Sequence, residues 1–245
     1  MKKIAVFTEG QGELIFTRHL LIQMIGYERV SFECFELYSD RLLAVPYSYR
    51  PPNALIHYQI VNVGTDERVL SAMLERYKGL INQGFEVVGL RDMYSAEYKK
   101  KSNQIDGDVN QYFVNIFSKA INKLDDADNL RFFFAIMELE AWLLGMYGIF
   151  EKLDASLTPE NIENKLGFDL RTIDPEKSFF RPAVQLKQTL ALANIGYNKH
   201  KDEMKNIVGK ITLDDLERLA ASNRCNSFAL FFGEIQREFE EAQNR

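Results

Sequence analysis

The chain has 245 residues, 46% hydrophobic and 27% charged, enough to bury a substantial core as one large domain or two modest ones. Thirty Lys and Arg against 35 Asp and Glu leave a net charge of −5, which argues against holding nucleic acid by bulk positive charge but leaves room for a local basic groove. Cys34 and Cys225 are too few for a disulfide framework, the first apolar run (Ile4–Phe7) is short, and nothing approaches the ~18 apolar residues that span a bilayer, so the expectation is a cytoplasmic chain without a membrane segment.

Ile4-Ala5-Val6-Phe7 reads as a strand buried on both faces. Thr8-Glu9-Gly10-Gln11-Gly12-Glu13 breaks it, and residues 12–24 read as a mostly buried helix. Ser31–Tyr38 carries a weak strand alternation, and 41–53, with Pro46, Pro51 and Pro52, reads as a loop or insertion. Residues 55–63 (LIHYQIVNV) form a stronger strand pattern. Thr65 then suits an N-cap for a helix whose stripe is Val69, Leu70, Met73, Leu74, Tyr77, Leu80 and Ile81, closed by Gly84. Phe85–Leu90 is the next strand, with Arg91-Asp92 at its exit. The polar segment 94–107, with Lys99, Lys100 and Lys101, reads as an exposed loop, and Asp108 as the cap of a helix. Residues 131–137 (RFFFAIM) return to strand, and Glu138-Leu139-Glu140-Ala141-Trp142-Leu143-Leu144 opens another helix, with Trp142 read as core.

Strand and helix therefore alternate to about residue 150, which points to parallel β-α-β units. No strand is needed afterwards. Pro159 after Thr158, Gly167, Pro182, the Thr212–Asp215 capping box and the Phe228, Phe231, Phe232, Ile235, Phe239 stripe all read as helix. The expected organisation is an α/β core over 1–150, a mostly parallel sheet flanked by helices, with a helical extension or cap over 151–245.

Three strand exits carry acids: Glu9 with Glu13, then Asp92, then Glu138 with Glu140. In a parallel sheet the exits share one edge, where ligands bind. Two carboxylates about 4 Å apart repel by roughly 4 kcal/mol at an effective dielectric near 20, so convergence calls for a proton, a basic partner or a cation. Mg²⁺, or Mn²⁺, suits oxygen ligands. The competing explanation is neutralisation by Arg91, Arg18 or Lys99, or a sheet order that keeps the acids apart, and for Glu9 and Glu13 an ordinary turn with acids at a helix N-terminus for the dipole. If Glu138 and Glu140 both lie on the helix, only one faces the crevice, and Glu138 is the nearer to the strand. His19, His57 and His200 lack metal-ligand spacing and read as incidental. Residues 181–210 hold six Lys or Arg against two acids, so Lys199 there, like Lys99, Lys100 and Lys101, is a candidate phosphate contact.

Glu9-Gly10 with Glu13, Asp92 after the third strand pattern, and E-x-E-A-W-L-L at 138–144 together resemble a bacterial branch of the TOPRIM (topoisomerase–primase) fold, a domain-of-unknown-function family often encoded beside ATPases and in phage-defence settings. Tyr197-Asn198-Lys199 and Cys225-Asn226-Ser227-Phe228 resemble its C-terminal pattern, so the likeness covers most of the chain. The resemblance implies Mg²⁺-dependent phosphodiester chemistry, with Glu9 as general acid/base or metal ligand and Asp92 as metal ligand. It also implies a nuclease-like activity on DNA or RNA, with an ATPase partner. One departure stands out: the family's D-x-D needs an acid where this chain has Tyr94. A catalytically weak subunit that binds an ATPase or a nucleotide is the alternative that this departure favours.

Overall fold

A computed structural model describes residues 1–244. The chain divides into two compact units that interleave in sequence: residues 1–91, 108–134 and from 234 on in the first, and 92–107 with 135–233 in the second.

The first unit is built on the sheet β1 (Lys2–Thr8), β2 (Val30–Tyr38), β3 (Arg41–Ala44), β4 (Ile56–Asn62), β5 (Phe85–Asp92) and β6 (Leu130–Ala135), in the order β3-β2-β4-β1-β5-β6. β1 pairs parallel with β4 and β5, and β2 parallel with β4, while β3 runs antiparallel at the edge. The fold is thus α/β with a mostly parallel sheet, as the alternating pattern requires. Helix α1 (Gln11–Ile25) packs on β1, β2 and β4. Helix α2 (Val69–Asn82) places Val69, Met73 and Tyr77 in one apolar cluster with Ala5, Phe7, Val61 and Val87. Since side chains alternate along a strand, Ile4 and Val6, both fully buried, serve the opposite face. Gly89 of β5 has no room for a side chain, because a Cβ there would lie 2.4 Å from the Phe132 ring.

In the second unit, α3 (Ala96–Lys101), α5 (Leu139–Gly145), α6 (Gly148–Leu153), α7 (Pro159–Leu166), α8 (Pro175–Ser178), α9 (Pro182–Ala191), α10 (Lys201–Val208) and α11 (Leu213–Ala221) supply the helices. α4 (Gly107–Ile121) belongs to the first unit but for its first residue, and α12 (Asn226–Gln243) begins in the second unit and ends in the first. Among the described residues no strand follows residue 135. Trp142, fully buried, stacks on Phe231 and meets Phe228 edge-on, which makes it core. α7 starts and stops as its residues dictate: Thr158 accepts from the Asn161 amide, Pro159 takes the first helical position, and Gly167 adopts φ 79°.

Several local expectations fail for physical reasons. Arg41–Ala44 is a strand, because Ser39 takes φ 52° and turns β2 back into a hairpin; the prolines lie beyond it. The polar segment 94–107 is not all loop. Ser95 caps α3 by accepting from the Tyr98 amide at 3.1 Å, and buried Tyr98 ties its hydroxyl to the Asp106 backbone. Thr65 makes no capping hydrogen bond, and a 3₁₀ turn (Asp66–Arg68) precedes α2. Asp108 falls inside the first turn of α4 instead of capping it. β6 ends at Ala135, two residues early, because Met137 takes φ 63° and leaves the sheet direction.

Candidate metal centre

The second unit opens where β5 and β6 end. Asp92 is the last residue of β5, and Ala135 of β6 is followed by Ile136, Met137 and Glu138. Two backbone bonds fix these exits together: the Met93 amide donates to the Ala135 carbonyl at 2.8 Å and the Tyr94 amide to the Met137 carbonyl at 2.7 Å. Met137 holds the left-handed conformation that non-glycine residues rarely adopt and that gathers at functional sites. It turns the chain so that Glu138 enters α5 in extended backbone at the cap position, with φ −144°. Glu140 follows in the first helical turn.

Asp92, Glu138 and Glu140 each present an oxygen, and these oxygens lie within 4.8 Å of one another. All three carboxylates are buried, with residue exposures of 5%, 8% and 2%. The expectation that only one of Glu138 and Glu140 faces the crevice is therefore corrected. It assumed both on a regular helix, whereas Glu138 stands just outside it. Asp92 Oδ1 accepts from the Leu139 amide at 2.8 Å, and Glu138 Oε2 from the Ala183 amide at 2.9 Å, so the N-termini of α5 and α9 each point at a carboxylate. Glu140 Oε1 accepts from the Tyr197 hydroxyl at 2.6 Å, while its Oε2 is buried with no hydrogen-bond partner.

The counter-charge inside the cluster is Lys199. Its ammonium lies 3.1 Å from both Glu138 Oε1 and Glu140 Oε1. Burial opposes that charge, but Glu140, Glu138 and Asp92 outweigh the penalty and hold the lysine above its ordinary pKa. Lys199 also sits at φ 60°, so two left-handed residues frame the same cluster. The anticipated neutralisers have contacts of their own. Arg91 pairs with Asp66, Arg18 donates to the Tyr47 carbonyl, and Lys99 lies over the Tyr94 ring. Three carboxylates against one ammonium leave a formal charge of −2.

The donor set fits a divalent cation. Opposite ligands on Mg²⁺ stand about 4.2 Å apart and those on Ca²⁺ up to about 5 Å, so a spread of 4.8 Å needs only sub-ångström closure for Mg²⁺ or Mn²⁺. The buried, unpartnered Glu140 Oε2 is a lone pair for which the protein offers no donor. A second acidic group, Glu86, Glu238 and Glu241 in the first unit, fits less well, because the Lys2 ammonium already contacts all three.

The remaining candidates have the following surroundings. Glu9, half-buried just after β1, and Glu13, 9% exposed in the first turn of α1, belong to the first unit. Tyr94, where an acid was looked for, packs edge-on against Phe180. Glu97 is exposed and paired with Lys100. Lys99, Lys100 and Lys101 form the exposed last turn of α3. Sequence reasoning missed Tyr197 and the Ala183 amide as partners of the acids, and Lys199 as their counter-ion. Their only trace was Tyr197-Asn198-Lys199, quoted as a pattern without a place. Comparisons with protein-family models, curated proteins and solved structures return no match, so function has to be argued from these residues.

Proposed function

We propose that Asp92, Glu138 and Glu140 hold a divalent cation, Mg²⁺ or Mn²⁺, for hydrolysis of phosphodiester bonds in DNA or RNA. The observation that carries this reading is the convergence of three buried carboxylates, one with an unpartnered oxygen and two sharing the Lys199 ammonium. A cation bound there would polarise a phosphate oxygen and lower the pKa of a bound water. The chain's own groups have separable roles. The amides of Leu139 and Ala183 fix the Asp92 and Glu138 carboxylates, and the Tyr197 hydroxyl fixes Glu140. Lys199, with its side chain 48% exposed, can turn its ammonium toward a phosphate. Lys99, Lys100 and Lys101 offer further phosphate contacts.

The TOPRIM-like resemblance supports the same class, adding the expectation of an ATPase partner and a defence setting. Tyr94 in place of an acid keeps open a weak or partner-dependent catalyst. The test is cleavage of supercoiled DNA and of a structured RNA in Mg²⁺ or Mn²⁺, beside Glu140→Gln and Asp92→Asn. Each variant should lower the rate on the order of 100-fold with an unchanged circular-dichroism spectrum. Equal cutting by wild type and Glu140→Gln, or none by wild type in either metal, would refute the nuclease reading for the isolated chain.

A further inference from the structure

The sheet face under α2 is apolar along the second half of its strands, where Phe7, Val61 and Val87 pack. Toward the strand beginnings the same face turns polar. Register sets Ser31 of β2 opposite His57 of β4, and His57 opposite Lys3 of β1. Glu33 and Gln59 follow two residues on, and so on the same side. With Arg50 and Phe85 these residues line a cleft of about 540 Å³, within the size range of small-molecule sites. Parallel strands are normally apolar on both faces, so Ser31 and His57 at 4% and 7% exposure call for a reason.

Their contacts have a direction. His57 Nε2 lies 3.4 Å from Glu33 Oε2, and its Nδ1 lies 2.8 Å from Ser31 Oγ. The Glu33 carboxylate beside Nε2 favours the tautomer with the proton there, which leaves Nδ1 to accept from the serine hydroxyl, and Ser31 Oγ also lies 3.5 Å from the Ile56 carbonyl. Burial, then Arg50 and Lys3, hold His57 below its ordinary pKa, which keeps the ring neutral and able to take a proton. The sequence reads His57 as incidental, and its serine and carboxylate neighbours lie on a different strand.

We propose that Ser31, His57 and Glu33 form a nucleophile, base and orienting carboxylate in this cleft, a site for hydrolysis of small carboxylic esters bearing an anionic group. Lys3 lines the same cleft and supplies positive charge for that group, while Arg50, also in the lining, pairs with Glu33. Ser31 Oγ attacks the ester carbonyl carbon as its proton passes to His57 Nδ1. The bond to the leaving alcohol breaks as Nδ1 returns that proton to the alcohol oxygen, leaving an acyl-serine. Water then gives a proton to Nδ1 and attacks the acyl carbon, and Ser31 leaves with the proton restored. Ester and water become acid and alcohol. The metal centre takes no part.

The experiment is labelling of the full chain with a fluorophosphonate, which bonds phosphorus to Oγ and releases fluoride, read by intact mass and peptide mapping. One adduct should form, on Ser31, and Ser31→Ala should form none. His57→Gln should label on the order of 100-fold more slowly, and Glu33→Gln on the order of 10-fold more slowly. No adduct on Ser31 in wild type, or equal labelling of wild type and His57→Gln, overturns the proposal. Where His57→Gln does not fold, the more exposed Glu33→Gln decides, and an unchanged rate there overturns it as well.

Discussion

Replacing Lys199 by glutamine removes the single positive charge between Glu138 and Glu140 while keeping a polar side chain of similar length. Each ammonium–carboxylate contact of 3.1 Å has a gross attraction of about 5 kcal/mol at an effective dielectric near 20. The lysine side chain is 48% exposed, so water screens much of that attraction, and the ammonium's own desolvation offsets more. A net loss of about 2 kcal/mol is expected, which for a chain of this size lowers the thermal midpoint by roughly 4–8 °C. The loss should reverse with metal, because the variant removes the ammonium that Glu138 and Glu140 share. A divalent ion at about 100 times its dissociation constant returns about 2.7 kcal/mol. The assay is thermal unfolding of wild type and Lys199→Gln in EDTA, Mg²⁺ and Mn²⁺. The variant should be the less stable in EDTA and gain more from metal than wild type, since in wild type the ion competes with a resident ammonium. Adding Glu140→Gln should abolish the gain. A Lys199→Gln midpoint that moves with neither metal would refute the metal reading independently of activity.

Two further outcomes follow from buried polar groups. Glu238, fully buried, has its pKa pushed up to about 7, by burial first and then by Glu86 and Glu234, against the pull of Lys2. The folded state thus holds this proton more tightly than the unfolded chain, whose value is near 4.5. Its contribution to stability is complete below about pH 4.5 and is lost as pH rises through about 7, a change of at most about 3 kcal/mol. Urea unfolding from pH 4.5 to 8 should show wild type losing stability relative to Glu238→Gln across that window, and parallel curves would contradict it. Trp142 donates to Glu176 Oε1 at 2.9 Å and to Ser227 Oγ at 3.0 Å. Trp142→Phe therefore leaves a buried carboxylate short of a donor, at a cost of about 1–3 kcal/mol. As the chain's one tryptophan, Trp142 should emit to the blue and resist acrylamide quenching in wild type.

The parallel sheet was legible because its strands are apolar on both faces and its helices carry 3.6-residue stripes. Asp92, Glu138 and Glu140 were legible because strand exits are short and their acids conspicuous. What stayed hidden depended on backbone angles and long-range contacts. Nothing in Ile136-Met137-Glu138 marks Met137 for φ 63°, yet that one residue decides that Glu138 and Glu140 converge. Lys199 lies 61 residues beyond Glu138, and in sequence it is one lysine in a basic stretch. The same limit hid the relay, since Ser31 and His57 meet only across β2 and β4.

The two acidic groups of this chain resolve their excess charge differently, and the difference is what favours one as a metal centre. Around Lys2, Glu238 takes up a proton near neutrality, while Arg237 and Arg131 attend the neighbouring acids Glu234 and Glu241. Protons and side-chain cations therefore balance that group without an ion. In the other group the Lys199 ammonium pairs with Glu138 and Glu140. Backbone amides at helix N-termini also donate to Asp92 and Glu138, which orients each carboxylate without cancelling its formal charge. Glu140 keeps one buried oxygen with no donor at all. Buried carboxylates oriented by backbone amides, one of them with an oxygen that no donor reaches, are the arrangement a divalent cation completes.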